Sequence, residues 1–370
     1  MKVVIAGGGT AGHVFPALAL AGALERGYDA EISFLGTATG LEGRLVPEAG
    51  YPFTPVRAAP LRRTPSVAMF RAPFTALGSV ADCGPEVADA DAVVGVGGYV
   101  SVPAVLAGVR ARRPVALHEQ NAIPGLANRL LARFATVVAL SFEEARGMLS
   151  KRPHVVVTGN PVRETVLSVP ANRSDLAARA RERFGLDPDR MTVLVFGGSQ
   201  GALRIDHAIA DAIEHLQDRN DLQLLVLTGR GHLGVVSEPA EHAGSLRVIA
   251  LEFCDEMELA YAAADVVVAR AGATTIAEVT VCGLPSLLIP YPHATGNHQA
   301  ANALAVQRAG AAAILHDDDL SGPLLTTRLR ELLDDDDRLS AMAHAATGFG
   351  RPDAAGALAA EVATIARSRT

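Results

Sequence analysis

The chain has no tryptophan, few aromatic residues (4%) and only three cysteines among its 370 residues. Cys83, Cys254 and Cys282 lie too far apart for a zinc-site spacing and are odd in number. This excludes a disulfide framework and points to a reducing cytoplasm. Of the 33 basic residues, all but Lys2 and Lys151 are arginine, a compositional bias without functional weight. Acidic residues outnumber basic ones 40 to 33, a net charge of −7. That balance argues against a nucleic-acid partner, whose binder would be basic. A hydrophobic share of 49% with 20% charged residues excludes a disordered, collagenous or coiled-coil chain and suffices for two cores.

Long unbroken apolar runs are also missing. The apolar start is cut by Gly7-Gly8-Gly9-Thr10-Ala11-Gly12-His13, which a signal peptide would not tolerate. The uncharged stretch Ala92–Val109 is broken by Gly95, Gly97, Gly98 and Pro103. Val279–Gln307 is broken by Pro285, Pro290 and Pro292. Neither suits a bilayer span, and no transmembrane helix is expected.

What is present is alternation. Short apolar strands such as Val3-Val4-Ile5, Val93-Val94, Val193–Phe196 and Val266–Val268 alternate with Ala/Leu-rich helical segments. Continuous apolar strands between helices mean parallel sheets covered on both faces. The pattern repeats. Each half opens with a strand running into glycines, Ala6–Gly9 and Phe196–Gly198. Each later places an Asp before a strand that ends in a glycine turn, Asp91–Gly98 and Asp265–Gly272. The expected fold is α/β, with two Rossmann-like doubly wound domains facing across a cleft. The expected boundaries are 1–163, 164–345 and a final helix in 346–370 returning to the first domain. Charge divides unevenly: residues 1–160 hold 15 basic and 12 acidic groups, net +3, and 161–370 hold 18 and 28, net −10.

The candidate chemistry sits at strand ends. In the first glycine loop, backbone N–H groups and a helix start attract anions. The spacing departs from the dinucleotide fingerprint, and Phe34-Leu35-Gly36-Thr37 supplies no acidic ribose-binding residue after the second strand. His13 stands at a helix start, which disfavours the imidazolium, so a neutral His there can act as general base. Phe196-Gly197-Gly198-Ser199-Gln200-Gly201 repeats the loop design but is no P-loop, since no Gly-Lys-Ser/Thr follows. His118-Glu119-Gln120-Asn121 follows a buried strand, where polar groups are costly unless satisfied or used. Arg163 at the hinge can reach a phosphate bidentately. Glu278, about one turn into a helix, can bind two ribose hydroxyls, and Asn297, His298, Gln299 and Asn302 offer a sugar-binding surface. No metal is expected, because Asp89-Ala90-Asp91 precedes its strand instead of ending it. No cofactor is expected either.

Six ordered motifs together resemble the bacterial UDP-N-acetylglucosamine–N-acetylmuramyl-(pentapeptide) pyrophosphoryl-undecaprenol N-acetylglucosamine transferases. They are Gly8–Pro16, Gly97–Ser101, His118–Asn121, Gly159–Arg163, Gly197–Ala202 and Arg270–Glu278. One departure is Ala11, where the family usually has glycine. The resemblance implies the B-type glycosyltransferase fold, with the donor mainly on the C-terminal domain and the lipid acceptor on the N-terminal one. It implies transfer of N-acetylglucosamine, with inversion, from UDP-N-acetylglucosamine to the 4-hydroxyl of undecaprenyl-pyrophosphoryl-MurNAc-pentapeptide (lipid I), for peptidoglycan synthesis. It makes His13 the best base candidate, with Glu119 assisting or competing. Arg163, Ser199 and the glycine loops, with Thr10, Ala11, Gly12 and Ala273, would hold the donor and its phosphates. Glu278 would take the ribose, and Cys254 would meet uracil through its backbone. Asn121, Thr274, Thr275 and Gln299 would address the sugar. Because the acceptor is lipid-bound, peripheral docking on the anionic cytoplasmic leaflet of the cell membrane is expected. Residues 49–81 hold no acid but carry Arg62, Arg63 and Arg71 beside Met69, Phe70 and Phe74, a composition suited to such a surface.

Overall fold

The computed structural model describes residues 1–57, 67–149, 153–198 and 201–368, and the backbone alone for 67–77. The chain divides into two compact units, Met1–Arg163 with Pro352–Thr370, and Glu164–Arg351.

The first unit is built on seven parallel strands: β1 (Lys2–Ala6), β2 (Glu31–Gly36), β3 (Phe53–Pro55), β4 (Ala92–Gly95), β5 (Val115–Glu119), β6 (Val137–Leu140) and β7 (His154–Val157). Their order across the sheet is β3-β2-β1-β4-β5-β6-β7. Alternate residues of the central strand bury against different layers, as the two-residue period of a strand requires. Val3 and Ile5 pack with Leu20 and Leu24 of the helix Ala11–Tyr28 and with Leu358 and Val362 of the helix Ala354–Arg367. Val4 and Ala6 pack with Cys83, Val87 and Ala104 from the helices Val67–Ala88 and Ser101–Arg110. The chain re-enters the first unit at Pro352. Residues 346–351 therefore stay with the second unit, where a boundary after 345 was expected. The reason is local: the helix Asp336–Phe349 runs through that position without a break.

The second unit has six parallel strands: β8 (Met191–Phe196), β9 (Leu222–Leu227), β10 (Arg247–Leu251), β11 (Val266–Ala269), β12 (Ser286–Leu288) and β13 (Ala312–Ile314), ordered β10-β9-β8-β11-β12-β13. Val193 and Val195 pack against Ile205 and Ile209 of the helix Leu203–His215 and against Leu325 and Leu329. Phe196, on the opposite face, meets the ring of Tyr261 edge-on at 6.1 Å. The internal repeat seen in the sequence has a shared bond behind it. In the first unit Asp91 Oδ2 accepts from the backbone N–H of Lys2, and in the second Asp265 Oδ2 accepts from that of Thr192, both at 2.8 Å. Each Asp thereby pins the start of its own strand to the central one. Two parallel α/β sheets with the same doubly wound order bear out the expected fold class. Among the described residues, no helix is long and apolar enough to cross a membrane.

Candidate active site

In open parallel sheets, ligands bind outside the carboxyl ends of the strands, beside the strand-order reversal. In the first unit these ends belong to β1, β4 and β5. The loop after β1 leads into the helix Ala11–Tyr28, with Thr10 as an extended N-cap. Ala11 is its first residue and is absent from the positive-φ positions, so its methyl group fits where the family favours glycine. His13 Nδ1 lies 3.0 Å from the Thr10 hydroxyl. The imidazole rests on the glycine turn after β4, where a Cβ added at Gly97 would come within 2.8 Å of His13 Cδ2 and 3.3 Å of Gln120 Oε1. Gly98 has φ +78°, and a Cβ there would stand 2.7 Å from the Gly8 carbonyl oxygen. Only a glycine lets these two loops approach so closely. Arg163 places its guanidinium 4.4 Å from the ring centroid of Phe15, a cation–π contact that brings Arg163 to the His13 helix.

The motif after β5 is a lattice of satisfied polar groups. His118 is fully buried, with Nε2 3.1 Å from the Gly159 carbonyl oxygen and Nδ1 3.1 Å from Gln120 Nε2. Burial pushes its pKa down to about 4, so the ring is neutral, with Nε2–H donating and Nδ1 accepting. Gln120 also donates to the Val96 carbonyl oxygen at 2.6 Å, tying β5 to the glycine turn. Glu119 is 1% exposed. Its carboxylate accepts from Asn121 N–H (3.0 Å) and Nδ2 (3.3 Å), Gly125 N–H (3.0 Å) and Asn128 Nδ2 (2.9 Å). Burial, the larger influence, holds its pKa above the usual carboxylate range despite these bonds. This geometry makes Glu119 the organiser of the loop carrying Asn121, and His13 the more open of the two base candidates.

One carboxylate beside the candidate site escaped the sequence reading. The search for an acid after β2 found none, yet Glu42 lies six residues beyond that strand and folds back onto the glycine loop. It accepts from Gly9 N–H (2.9 Å), Thr37 N–H (3.0 Å) and the Thr37 hydroxyl (2.6 Å). A Cβ added at Gly8, Gly36 or Gly40 would run into its side chain. Burial raises its pKa, but the Thr37 hydroxyl and the Gly9 and Thr37 N–H groups outweigh that and leave it lowered. The loop is thus clamped by an internal anion. The acid-poor spacing between Gly36 and Gly43 was the available signal.

In the second unit the candidate residues again follow strand ends. Ser199 lies outside the described residues. Gly272 N-caps the helix Ala273–Val281, which carries Thr274 and Thr275 in its first turn, where N–H groups have no intrahelical partner. Glu278 is 5% exposed, and its Oε2 accepts from the hydroxyl of the buried Tyr261 at 2.9 Å. Gln299 Oε1 accepts from Tyr291 N–H at 2.9 Å, whereas His298 Nδ1 lies 2.8 Å from the Thr295 carbonyl oxygen of its own turn. Cys254 follows β10 and is half-buried, and burial raises its thiol pKa. Its neighbour Phe253 is 53% exposed, an aromatic face that sequence reasoning passed over. Arg270 is nearly buried and bonds Asp317 at 2.5 Å, and Asp317 also meets Arg204 at 2.9 Å. These two arginines brace the turn from below. Arg62 and Arg63 lie outside the described residues. Met69, Phe70, Arg71 and Phe74 fall in the helix Val67–Ala88, where the backbone alone is described.

Residues 3–140 match the glycosyltransferase family 28 N-terminal domain, and residues 192–358 match the glycosyltransferase family 28 C-terminal domain. The chain belongs to glycosyltransferase family 28. Two curated relatives carry the name UDP-N-acetylglucosamine–N-acetylmuramyl-(pentapeptide) pyrophosphoryl-undecaprenol N-acetylglucosamine transferase. The one from Halothermothrix orenii is 41% identical over 368 residues, covering 95% of each chain. The one from Mycolicibacterium smegmatis is 43% identical over 382 aligned positions, covering 100% of this chain and 95% of its own. The crystal structure of MurG from Acinetobacter baumannii superposes with a TM-score of 0.78 at 30% identity, covering 98% of this chain and 99% of that one. A UDP-GlcNAc 2-epimerase from Neisseria meningitidis shares the fold, with a TM-score of 0.69 at 12% identity and full coverage of both chains. The resemblance read from the six motifs is borne out.

Proposed function

We propose that the chain transfers N-acetylglucosamine from UDP-N-acetylglucosamine to the 4-hydroxyl of the muramyl sugar of lipid I, with inversion at C1, forming lipid II for peptidoglycan. The observation that carries this reading is near-full-length similarity to transferases of that one name. In a single displacement the acceptor O4–H bond breaks as O4 bonds C1. The bond between C1 and the phosphate oxygen breaks, and UDP leaves. His13 takes the O4 proton. Thr10 fixes the ring through Nδ1, which leaves the other ring nitrogen to accept the proton. Glu119 and Glu42 hold the loops that present Asn121 and His13. In the second unit Glu278, oriented by Tyr261, takes the ribose hydroxyls. Thr274, Thr275 and Gln299 address the sugar, the backbone at Cys254 meets uracil, and Ser199 and Arg163 meet phosphate. Thr10, Ala11, Gly12 and Ala273 supply further donor contacts from the helix starts. The enzyme docks peripherally on the anionic cytoplasmic leaflet through the arginine-rich segment around Arg62–Phe74. That composition and the positive balance of residues 1–160 support this location.

Incubation with radiolabelled UDP-N-acetylglucosamine and purified lipid I tests the reading. The expected result is label in the lipid product and stoichiometric UDP. Consumption of UDP-N-acetylglucosamine without acceptor, yielding its 2-epimer, would replace transfer by epimerisation.

A further inference from the structure

The second unit contains a pair of titratable side chains that the transfer scheme leaves unused. Asp206 lies in the first turn of the helix Leu203–His215 and is 1% exposed. Its Oδ2 stands 3.2 Å from Nδ1 of His232. His232 ends the loop Thr228-Gly229-Arg230-Gly231 after β9 and N-caps the helix Leu233–Ala240. The two loops come from neighbouring strands, since Phe196 at the end of β8 pairs in register with Leu227 at the end of β9. They meet at Gly201, which has φ +72°. A Cβ there would be 2.6 Å from the Thr228 carbonyl oxygen and 3.4 Å from His232 Nδ1. The imidazole therefore flanks the turn that opens the helix Leu203–His215, at the ligand edge of the sheet.

The charges around the pair are unevenly committed. Arg204 and Arg270 are both bound to Asp317. His207 and Arg270 lie near enough to act on Asp206 electrostatically, and burial nevertheless raises the Asp206 carboxyl to about 6. His232 is the group that bonds it. The His232 side chain is 29% exposed, and among the described residues no protein group bonds its Nε2. A buried carboxylate oxygen on Nδ1 fixes the ring's orientation and keeps the proton on that side shared, so Nε2 is left to face outward. An oriented imidazole N–H beside a glycine turn and a helix start suits an anion, and phosphate above all.

We propose that His232, oriented by Asp206, contacts the diphosphate of the donor nucleotide. His232 is the binding residue and Asp206 its positioning residue. This rests on the reading of Glu164–Arg351 as the donor unit, and it adds a phosphate-binding side chain to that unit which no motif in the sequence marks.

The test compares UDP with uridine, which share the base and ribose but not the phosphates. Calorimetric titration with UDP, and displacement of UDP by uridine, would be run on the full chain and on His232→Gln, Asp206→Asn and Arg230→Gln. Loss of a charge-assisted bond corresponds to about tenfold to a hundredfold in affinity. The expected result is a loss of that size for UDP in His232→Gln, with uridine binding unchanged. Asp206→Asn should show the same selective loss to a smaller degree. A merely structural role would weaken uridine and UDP alike. The inference is overturned if His232→Gln binds UDP like the parent, if both ligands weaken in proportion, or if the selective loss appears in Arg230→Gln alone. A parent chain that binds no UDP would instead remove the donor-unit reading on which the inference stands.

Discussion

In the proposed mechanism His13 serves catalysis and Glu278 serves binding. Replacing His13 by Ala removes the proton acceptor, and kcat is expected to fall by roughly 10²–10⁴ while the donor KM changes little. Its acidic pH–rate limb should vanish. Steady-state kinetics at saturating lipid acceptor decide this, and a near-normal kcat would return the role to Glu119. Replacing Glu278 by Ala should weaken donor binding about tenfold to a hundredfold, as loss of a charge-assisted bond implies. Tyr261→Phe should move the donor KM in the same direction by less, because Tyr261 touches the carboxylate and not the ribose. An unchanged donor KM in Glu278→Ala would remove Glu278 from the ribose. His118 belongs to stability instead. Its folded pKa of about 4 lies below the ordinary histidine value of 6.5, so between those values the unfolded chain binds more protons. Stability from this group is whole above pH 6.5 and is lost as pH falls towards 4, by up to about 3 kcal/mol. Urea unfolding at pH 7.5 and 4.5 should show a smaller acid loss in His118→Gln than in the parent. An equal loss would assign the acid sensitivity elsewhere.

At the scale of elements, glycines separate into those that carry a side-chain-free approach and those that do not. Gly98→Ala puts a methyl group against the Gly8 carbonyl at positive φ, and should cost roughly 1–3 kcal/mol with a marked fall in kcat. Gly356→Ala, at an exposed position of the helix Ala354–Arg367 with nothing within 4 Å, should add about 0.4–1 kcal/mol. Thermal melts of the two variants must move in opposite directions. The strands were legible in the sequence because burial on both faces leaves continuous apolar runs, as in Val193–Phe196 and Val266–Ala269. Helix starts were less so. The first begins at Ala11, inside a glycine-rich segment that carries no propensity signal. The motif glycines and His13 were visible, but their braces were not. Glu42 reaches Gly9 across 33 residues, Tyr261 reaches Glu278 across 17, and Arg270 reaches Asp317 across 47. No periodicity encodes such pairs; the fold alone brings them together.

At the scale of the whole molecule, the proposed docking segment and the two-unit layout set the remaining expectations. Changing Arg62, Arg63 and Arg71 to Glu should abolish binding to anionic vesicles and spare binding of UDP-N-acetylglucosamine, since each arginine contributes about 1 kcal/mol near such a surface. Co-sedimentation at low and high salt tests it, and a triple variant that pellets like the parent places docking elsewhere. The two units also differ in how the chain composes them. The second is contiguous from Glu164 to Arg351, whereas the first is closed by Leu358, Val362 and Ile365 lying over Val3 and Ile5. A ribosome delivers the closing helix only after all of the second unit has been made. The later-encoded unit therefore has its full set of strands and helices in hand first, while the sheet that begins the chain waits with Val3 and Ile5 covered by Leu20 and Leu24 alone and not yet by Leu358 and Val362. Synthesis order and completion order are reversed, and the early sheet is the part of the nascent chain that most needs shielding.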